Sequence, residues 1–125
     1  MIGTRPAFSG FSAADIEAER AFYADTLGVT VEDGNGSLML NLANGQRVFI
    51  YPKPNHEPAT FTVLNFEVDD INGAVDELAG KGVRLERYDG LEQDERGIAR
   101  DGGGPAIAWF KDPAGNILSV LQQDG

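Results

Sequence analysis

The sequence predicts an α+β fold in which two βαβββ repeats form a cup-shaped mixed sheet with helices outside. Three observations predict it. First, the turn Asp112-Pro113-Ala114-Gly115 separates two apolar runs, Ala106 to Phe110 and Ile117 to Leu121. Proline presets φ for a turn and glycine accepts φ > 0 at the reversal, so the stretch reads as a hairpin ending in a buried strand. Second, Ile71, Ala74, Val75, Leu78 and Ala79 fall at the spacing of one helix face. Third, the chain repeats itself. Asp15-Ile16 matches Asp70-Ile71, Leu27-Gly28-Val29 matches Lys81-Gly82-Val83, and Asn44-Gly45 before one last strand matches Gly115-Asn116 before the other. One unit cannot bury both faces of its sheet, whereas two side by side can.

The elements follow in order. Ala7 to Ser12 is a first strand. Asp15 caps a helix whose apolar side is Ile16, Ala18, Ala21, Phe22 and Leu27 and which ends at Gly28. Val29 to Glu32 is a short strand, and Asp33-Gly34-Asn35-Gly36 is a turn. Ser37 to Leu42 and Gln46 to Tyr51 are the next two strands. Prolines 52, 54 and 58 make Tyr51 to Pro58 a stiff, extended connector, because proline cannot donate to a sheet ladder. The pattern then restarts with a strand from Phe61 to Val68, a helix capped by Asp70 and ending at Gly82, and a strand from Val83 to Tyr88. A charged, glycine-rich loop, Asp89 to Gly104, precedes the closing hairpin. The 125 residues are thus expected to be one domain of two modules, about 5–52 and 59–122.

Composition narrows the function. A formal net charge of −10 repels phosphate backbones and argues against nucleic acid, while suiting a cationic ligand. No apolar run approaches the roughly 20 residues that span a bilayer, and no basic segment followed by an apolar one opens the chain. No membrane association is expected, and a cytoplasmic location follows by default. The absence of cysteine excludes disulfides, thiolate metal sites and a cysteine nucleophile. No serine, histidine and acid motif for nucleophilic catalysis stands out.

Two motifs, Phe22-Tyr23-x-x-x-Leu27-Gly28 and Asp112-Pro113-x-Gly115-Asn116, together with the repeat, carry a resemblance that spans nearly the whole chain. The sequence resembles the vicinal oxygen chelate superfamily, which includes glyoxalase I, bleomycin-resistance proteins, fosfomycin-resistance enzymes and extradiol dioxygenases. In its metal-dependent members the resemblance implies a divalent ion in the cup, held by His, Glu or Gln from four strands. Counting from Asp15, Asp70 and the Asp-Pro-x-Gly-Asn motif, those positions fall at Phe8, Val63 and Ser119, with the fourth near Phe49. None is a good metal ligand. No metal and no cofactor are therefore expected. The resemblance instead implies a metal-independent binder of a small organic, cationic molecule, on the pattern of bleomycin-resistance proteins and antibiotic resistance. The alternative is a metal-dependent lyase, isomerase or dioxygenase with unusual ligands such as Glu67 and His56. Family members commonly pair two chains, so a homodimer is expected, with the connector as a hinge for exchange.

Strand alternation selects the ligand-binding side chains. Arg47, Phe49 and Tyr51 are expected to line the cup from the first half, and Phe61, Val63, Asn65 and Glu67 from the second. Ile117, Ser119 and Leu121 are expected to line it from the last strand, while Leu64, Phe66 and Val68 face the second helix. Trp109 joins the candidates, its face open. The candidate ligand-binding set is Arg47, Phe49, Tyr51, Asn65, Glu67, Trp109 and Ser119. The segment Leu91-Glu92-Gln93-Asp94-Glu95-Arg96-Gly97, with glycines at 97, 102, 103 and 104, is a candidate lid. His56, the single histidine, is expected to be an exposed loop residue.

Overall fold

The computed structural model describes residues 1–100 and 104–123. These fall into two compact units that divide after Glu57.

In the first unit, strands β1 (Ser9–Ala13), β2 (Thr30–Gly34), β3 (Ser37–Asn41) and β4 (Arg47–Pro52) form one sheet in the order β1-β4-β3-β2. β1 runs parallel to β4, and the other pairs are antiparallel. Asn35 and Gly36, both at positive φ, close the β2–β3 hairpin between the paired Gly34 and Ser37. Such a two-residue turn matches the twist of its strands. Helix α1 (Ile16–Ala21) starts at Asp15, whose carboxylate accepts from the Ala18 N–H at 3.1 Å. The regular helix expected through Leu27 is replaced from Phe22 to Thr26 by a wider π turn, closed by Leu27 N–H to the Phe22 carbonyl. Tyr23 on that turn is fully buried, its ring 6.5 Å from Phe11 and 5.3 Å from Phe22. Leu38, Leu40, Val48 and Ile50 are buried with it.

The connector is less extended than its prolines suggest. Tyr51 and Pro52 continue β4, and the chain then turns at Pro54-Asn55. Lys53 N–H bonds the Ala13 carbonyl, and His56 N–H bonds the Lys53 carbonyl, both at 3.0 Å. His56 is not an exposed loop residue: it is half-buried, with Nδ1 2.6 Å from the Ser12 hydroxyl.

In the second unit, β5 (Thr62–Glu67), β6 (Ala106–Lys111) and β7 (Ile117–Gln122) form a sheet in the order β5-β7-β6. β7 is parallel to β5 and antiparallel to β6. Helix α2 (Ile71–Gly80) buries Ile71, Val75 and Leu78, while Ala79, expected in the same stripe, is exposed. It lies over β7 and β6, because β7 is the central strand, rather than chiefly over β5 as Leu64, Phe66 and Val68 suggested. The first N–H of α2 is also satisfied differently from expectation. No Asp70 side-chain cap forms, and Ile71 N–H donates to Gln122 Oε1 at 2.8 Å. The Asp112-to-Asn116 turn is self-contained: the buried Asp112 carboxylate accepts from Ala114 N–H, Asn116 N–H and the Asn116 amide.

Val83 to Tyr88 does not form the expected strand. Leu85 makes a single bridge to Phe110, and Glu86 N–H bonds the Trp109 carbonyl at 2.8 Å. The Gln93 side chain takes groups that a ladder would use, accepting from Tyr88 N–H at 2.8 Å and donating to the Glu86 carbonyl at 2.9 Å.

Candidate small-molecule site

In the first unit, β4 alternates cleanly. Val48 and Ile50 point into the core, and Arg47, Phe49 and Tyr51 occupy the other face. Phe49 and Tyr51 stack at 6.0 Å between ring centroids. Phe8 meets Phe49 edge-on at 6.2 Å, and the Arg47 guanidinium lies 5.5 Å from the centre of the Phe8 ring. Phe8 is 53% exposed and Tyr51 40%. The result is an open aromatic surface with one cation upon it.

In the second unit, Asn65, Ser119 and Trp109 stand in register across β5, β7 and β6, so all three side chains share a face. This settles the orientation that alternation alone left open for Trp109. Ser119 is fully buried and its hydroxyl donates to Asn65 Oδ1 at 2.5 Å. Strict alternation fails at the start of β5, where the register shifts between Thr62 and Leu64. Thr62 consequently reaches Trp109, its hydroxyl accepting the indole N–H at 3.1 Å. Phe61, expected on the same face as Asn65, precedes the strand and is exposed. Glu67 is exposed opposite Leu121 at the end of β5.

Beside Trp109 opens a cavity of about 360 Å³. Trp109 and Ile107 contribute to it from β6. Leu91 and Glu92 line it from the loop, with Ala99, Gly104 and Pro105 completing the wall. Among the described lining residues all but Glu92 are uncharged, the usual make-up of a small-molecule site. Tyr88 packs edge-on against Trp109 at 5.6 Å. Burial pushes the Tyr88 phenol above its ordinary pKa, and the neighbouring Glu86 charge adds to the rise.

The loop is an ordered structure rather than a loose flap. Asp94 Oδ1 accepts from Arg96 N–H and Ile98 N–H, both at 2.9 Å, and Asp94 N–H bonds the Ile98 carbonyl. Burial pulls the Asp94 carboxyl upward, but these two N–H groups and the Arg100 guanidinium outweigh it, leaving the pKa below the ordinary carboxylate value. Ile98 is buried, and Ala99 bridges to Ile107 through two backbone bonds. Arg96 reaches α2 at Asn72 and Asp76, and Arg100 also bonds Asn72. These ties would have to break for residues 91–100 to move as a lid. Gly102 and Gly103 lie outside the described residues.

The residues at the positions where the resemblance would put metal ligands do not suit a divalent ion. Phe8 and Phe49 offer rings and Val63 a methyl pair. The Ser119 hydroxyl is a weak neutral donor already engaged with Asn65. Among the described residues no group of three or more His, Cys, Asp or Glu is placed to hold a metal. Of the rival ligand pair, His56 lies in the first unit with Nδ1 on Ser12, and Glu67 lies in the second.

Sequence reasoning missed Thr62, Tyr88, Ala99, Pro105 and Ile107, and gave Gln93 only a place in the candidate lid. Ile107 was within reach, being two residues from Trp109 on one strand. Thr62 was hidden by the bulge, and Ala99 reaches the cavity only through its bridge to β6.

A strand, a helix and three strands, followed by a strand, a helix and a closing hairpin, with a largely apolar cavity beside Trp109, define a glyoxalase-like protein. Residues 9–120 match the model of the Glyoxalase/Bleomycin resistance protein/Dioxygenase superfamily, and the chain belongs to that family. It is 29% identical to the uncharacterized protein YaeR of Escherichia coli (strain K12), over 89% of this chain and 90% of that protein. The fold is similar to that of TnmS3, an antibiotic binding protein from Streptomyces sp. CB03234. There the TM-score is 0.70 and the identity 19%, over 97% of this chain and 98% of that one. It is also similar to FosX, a fosfomycin resistance protein from Listeria monocytogenes, with a TM-score of 0.73 and 10% identity over 97% of this chain and 94% of that one. No helix among the described residues is long and apolar enough to cross a membrane.

Proposed function

We propose that this chain binds a small, flat, organic cation without the help of a metal ion, in the manner of an antibiotic-binding protein. The observation that carries the reading is the Trp109 cavity, lined by apolar residues with Glu92 as the one charged residue among the described residues of its lining. An indole face and a carboxylate together favour a planar cation. The net charge of −10 raises the local concentration of such a ligand. Asn65, held by the buried Ser119 hydroxyl, supplies a polar group on the Trp109 face, with Glu67 at the end of β5. Arg47, Phe49 and Tyr51 supply a second stacking surface in the first unit. The similar fold of TnmS3, an antibiotic binding protein, supports drug sequestration as the setting. The reading extends to a homodimer in the cytoplasm, which native mass spectrometry at micromolar concentration checks for assembly.

Because Trp109 is the single tryptophan, its fluorescence reports on the cavity directly. Titration with acridine orange, a planar cationic dye, should quench it saturably. Glu92→Gln should weaken the dye, and treatment with a chelator should change nothing. Quenching no greater than that of free tryptophan would overturn the reading. So would stoichiometric nickel, zinc, manganese or iron in the untagged protein whose removal abolishes binding.

A further inference from the structure

We infer that Gln93 is the positioning residue of the Trp109 cavity, holding Leu91 and Glu92 in a pre-built wall rather than a closing lid. This rests on the proposed reading of that cavity as a ligand site. Gln93 directly follows the two loop residues that line the cavity. Its half-buried side chain spends its amide on three backbone groups, two just before the loop and one within it. It accepts from Tyr88 N–H at 2.8 Å and donates to the Glu86 carbonyl at 2.9 Å and the Gly97 carbonyl at 2.8 Å. Its own carbonyl, with that of Asp94, receives the Arg87 guanidinium. Gly97, at φ +88°, brings the backbone close enough for this. A Cβ there would stand 3.3 Å from Leu85 Cβ and 3.9 Å from Gln93 Nε2. Beyond Gln93, the Asp94 turn and the arginine ties to α2 fix the other end of the segment.

A glutamine satisfying three backbone groups substitutes for a strand ladder, and it does so without covering the sheet face. The wall therefore stands off Trp109 and leaves a cavity. A wall already ordered in the free protein spares a ligand the cost of ordering it, which is where affinity is gained. The backbone carrying Glu92 is then set beside the cavity, which narrows the positions that its carboxylate samples.

Two readouts on the full chain test this. The first is acridine orange affinity, followed by Trp109 fluorescence. Gln93→Ala, and Gln93→Glu, which keeps the length and loses both N–H donors, should each raise the Kd about tenfold. The second is backbone amide exchange. Wild-type Tyr88, Asp94, Gly97 and Ile98 amides should be protected before any dye is added. All four should lose protection in Gln93→Ala, and Asp94, Gly97 and Ile98 should lose it in Gln93→Glu, whose carboxylate still accepts from Tyr88 N–H. Amides of β5 and β7 should stay unchanged. Wild-type amides that become protected only with dye would show a closing lid and overturn the inference. So would variants that lose protection yet bind the dye as wild type does, or that keep protection. If wild type binds no dye, the ligand reading fails, and the inference fails with it as a statement about a ligand site. The exchange arm still decides whether Gln93 orders the wall.

Discussion

Trp109 donates its indole N–H to the Thr62 hydroxyl at 3.1 Å, a bond between the two outer strands of a sheet whose middle strand is β7. It exists because the bulge at the start of β5 turns Thr62 toward the Trp109 face. With Tyr88 edge-on to the same ring, the indole is held from two sides while lining the cavity. Thr62→Val keeps the shape and removes the acceptor, so it should cost about 1 kcal/mol in urea unfolding. Trp109 fluorescence should change in the folded protein at the same time. An unchanged emission spectrum would show that the bond does not set the environment of the indole.

The core of the second unit gives a sharper number. Leu78 is 4% exposed on the face of α2 that lies over β7 and β6. Leu78→Ala should destabilise by roughly 2–5 kcal/mol, the lost transfer energy plus a cavity term. Ala79, one residue on, is exposed, and Ala79→Ser should stay within about 0.5 kcal/mol. Similar losses at both positions would mean that the helix presents another face.

The start of α2 separates two side chains that the sequence does not distinguish. Asp70 occupies the N-cap position, yet Gln122 from the end of β7 accepts the Ile71 N–H at 2.8 Å. Gln122→Ala should therefore cost about 1 kcal/mol, the usual worth of a cap. Asp70→Ala should cost less, measured by the same chemical denaturation. The reverse order would restore Asp70 as the cap.

These cases show where the sequence is legible. The Asn35-Gly36 hairpin, the Asp15 cap, the alternation of β4 and the Asp112-to-Asn116 turn are local, set by residues within a few positions of one another. They were readable because φ preferences and short side-chain bonds act over that range. The repeat of motifs extended this to the order of elements in both units, except for the expected strand Val83 to Tyr88, which is only a single bridge at Leu85. What stayed hidden depends on partners far along the chain or on breaks in periodicity. The Gln122 cap joins residues 51 positions apart, and Trp109 and Thr62 are 47 apart. One bulge moved Thr62 to the Trp109 face and left the parity count from Asp70 wrong for Phe61. Gln93 had no motif at all, since a glutamine that replaces a strand ladder looks like any polar loop residue.

Acid should loosen the cavity wall through Asp94. Its carboxylate accepts the Arg96 and Ile98 N–H groups and faces Arg100, and these partners hold its folded pKa below the ordinary carboxylate value of about 3.9. A depressed folded pKa means that the ionised form is the one favoured by folding. Its stabilising contribution is therefore fully present above the unfolded value and is lost as pH falls through the folded one. Asp94→Asn keeps an acceptor oxygen but carries no charge and does not titrate. The difference in stability between wild type and Asp94→Asn should be constant from neutral pH down to about 5. It should then shrink progressively in stronger acid. The side chain of Asp94 is 35% exposed, so the difference should also shrink with added salt. Denaturation midpoints of the two proteins across a pH series check this. A gap that widens as the solution is acidified would mean that the carboxylate is held above its ordinary value, and that the wall rests on Gln93 and the arginine ties without it.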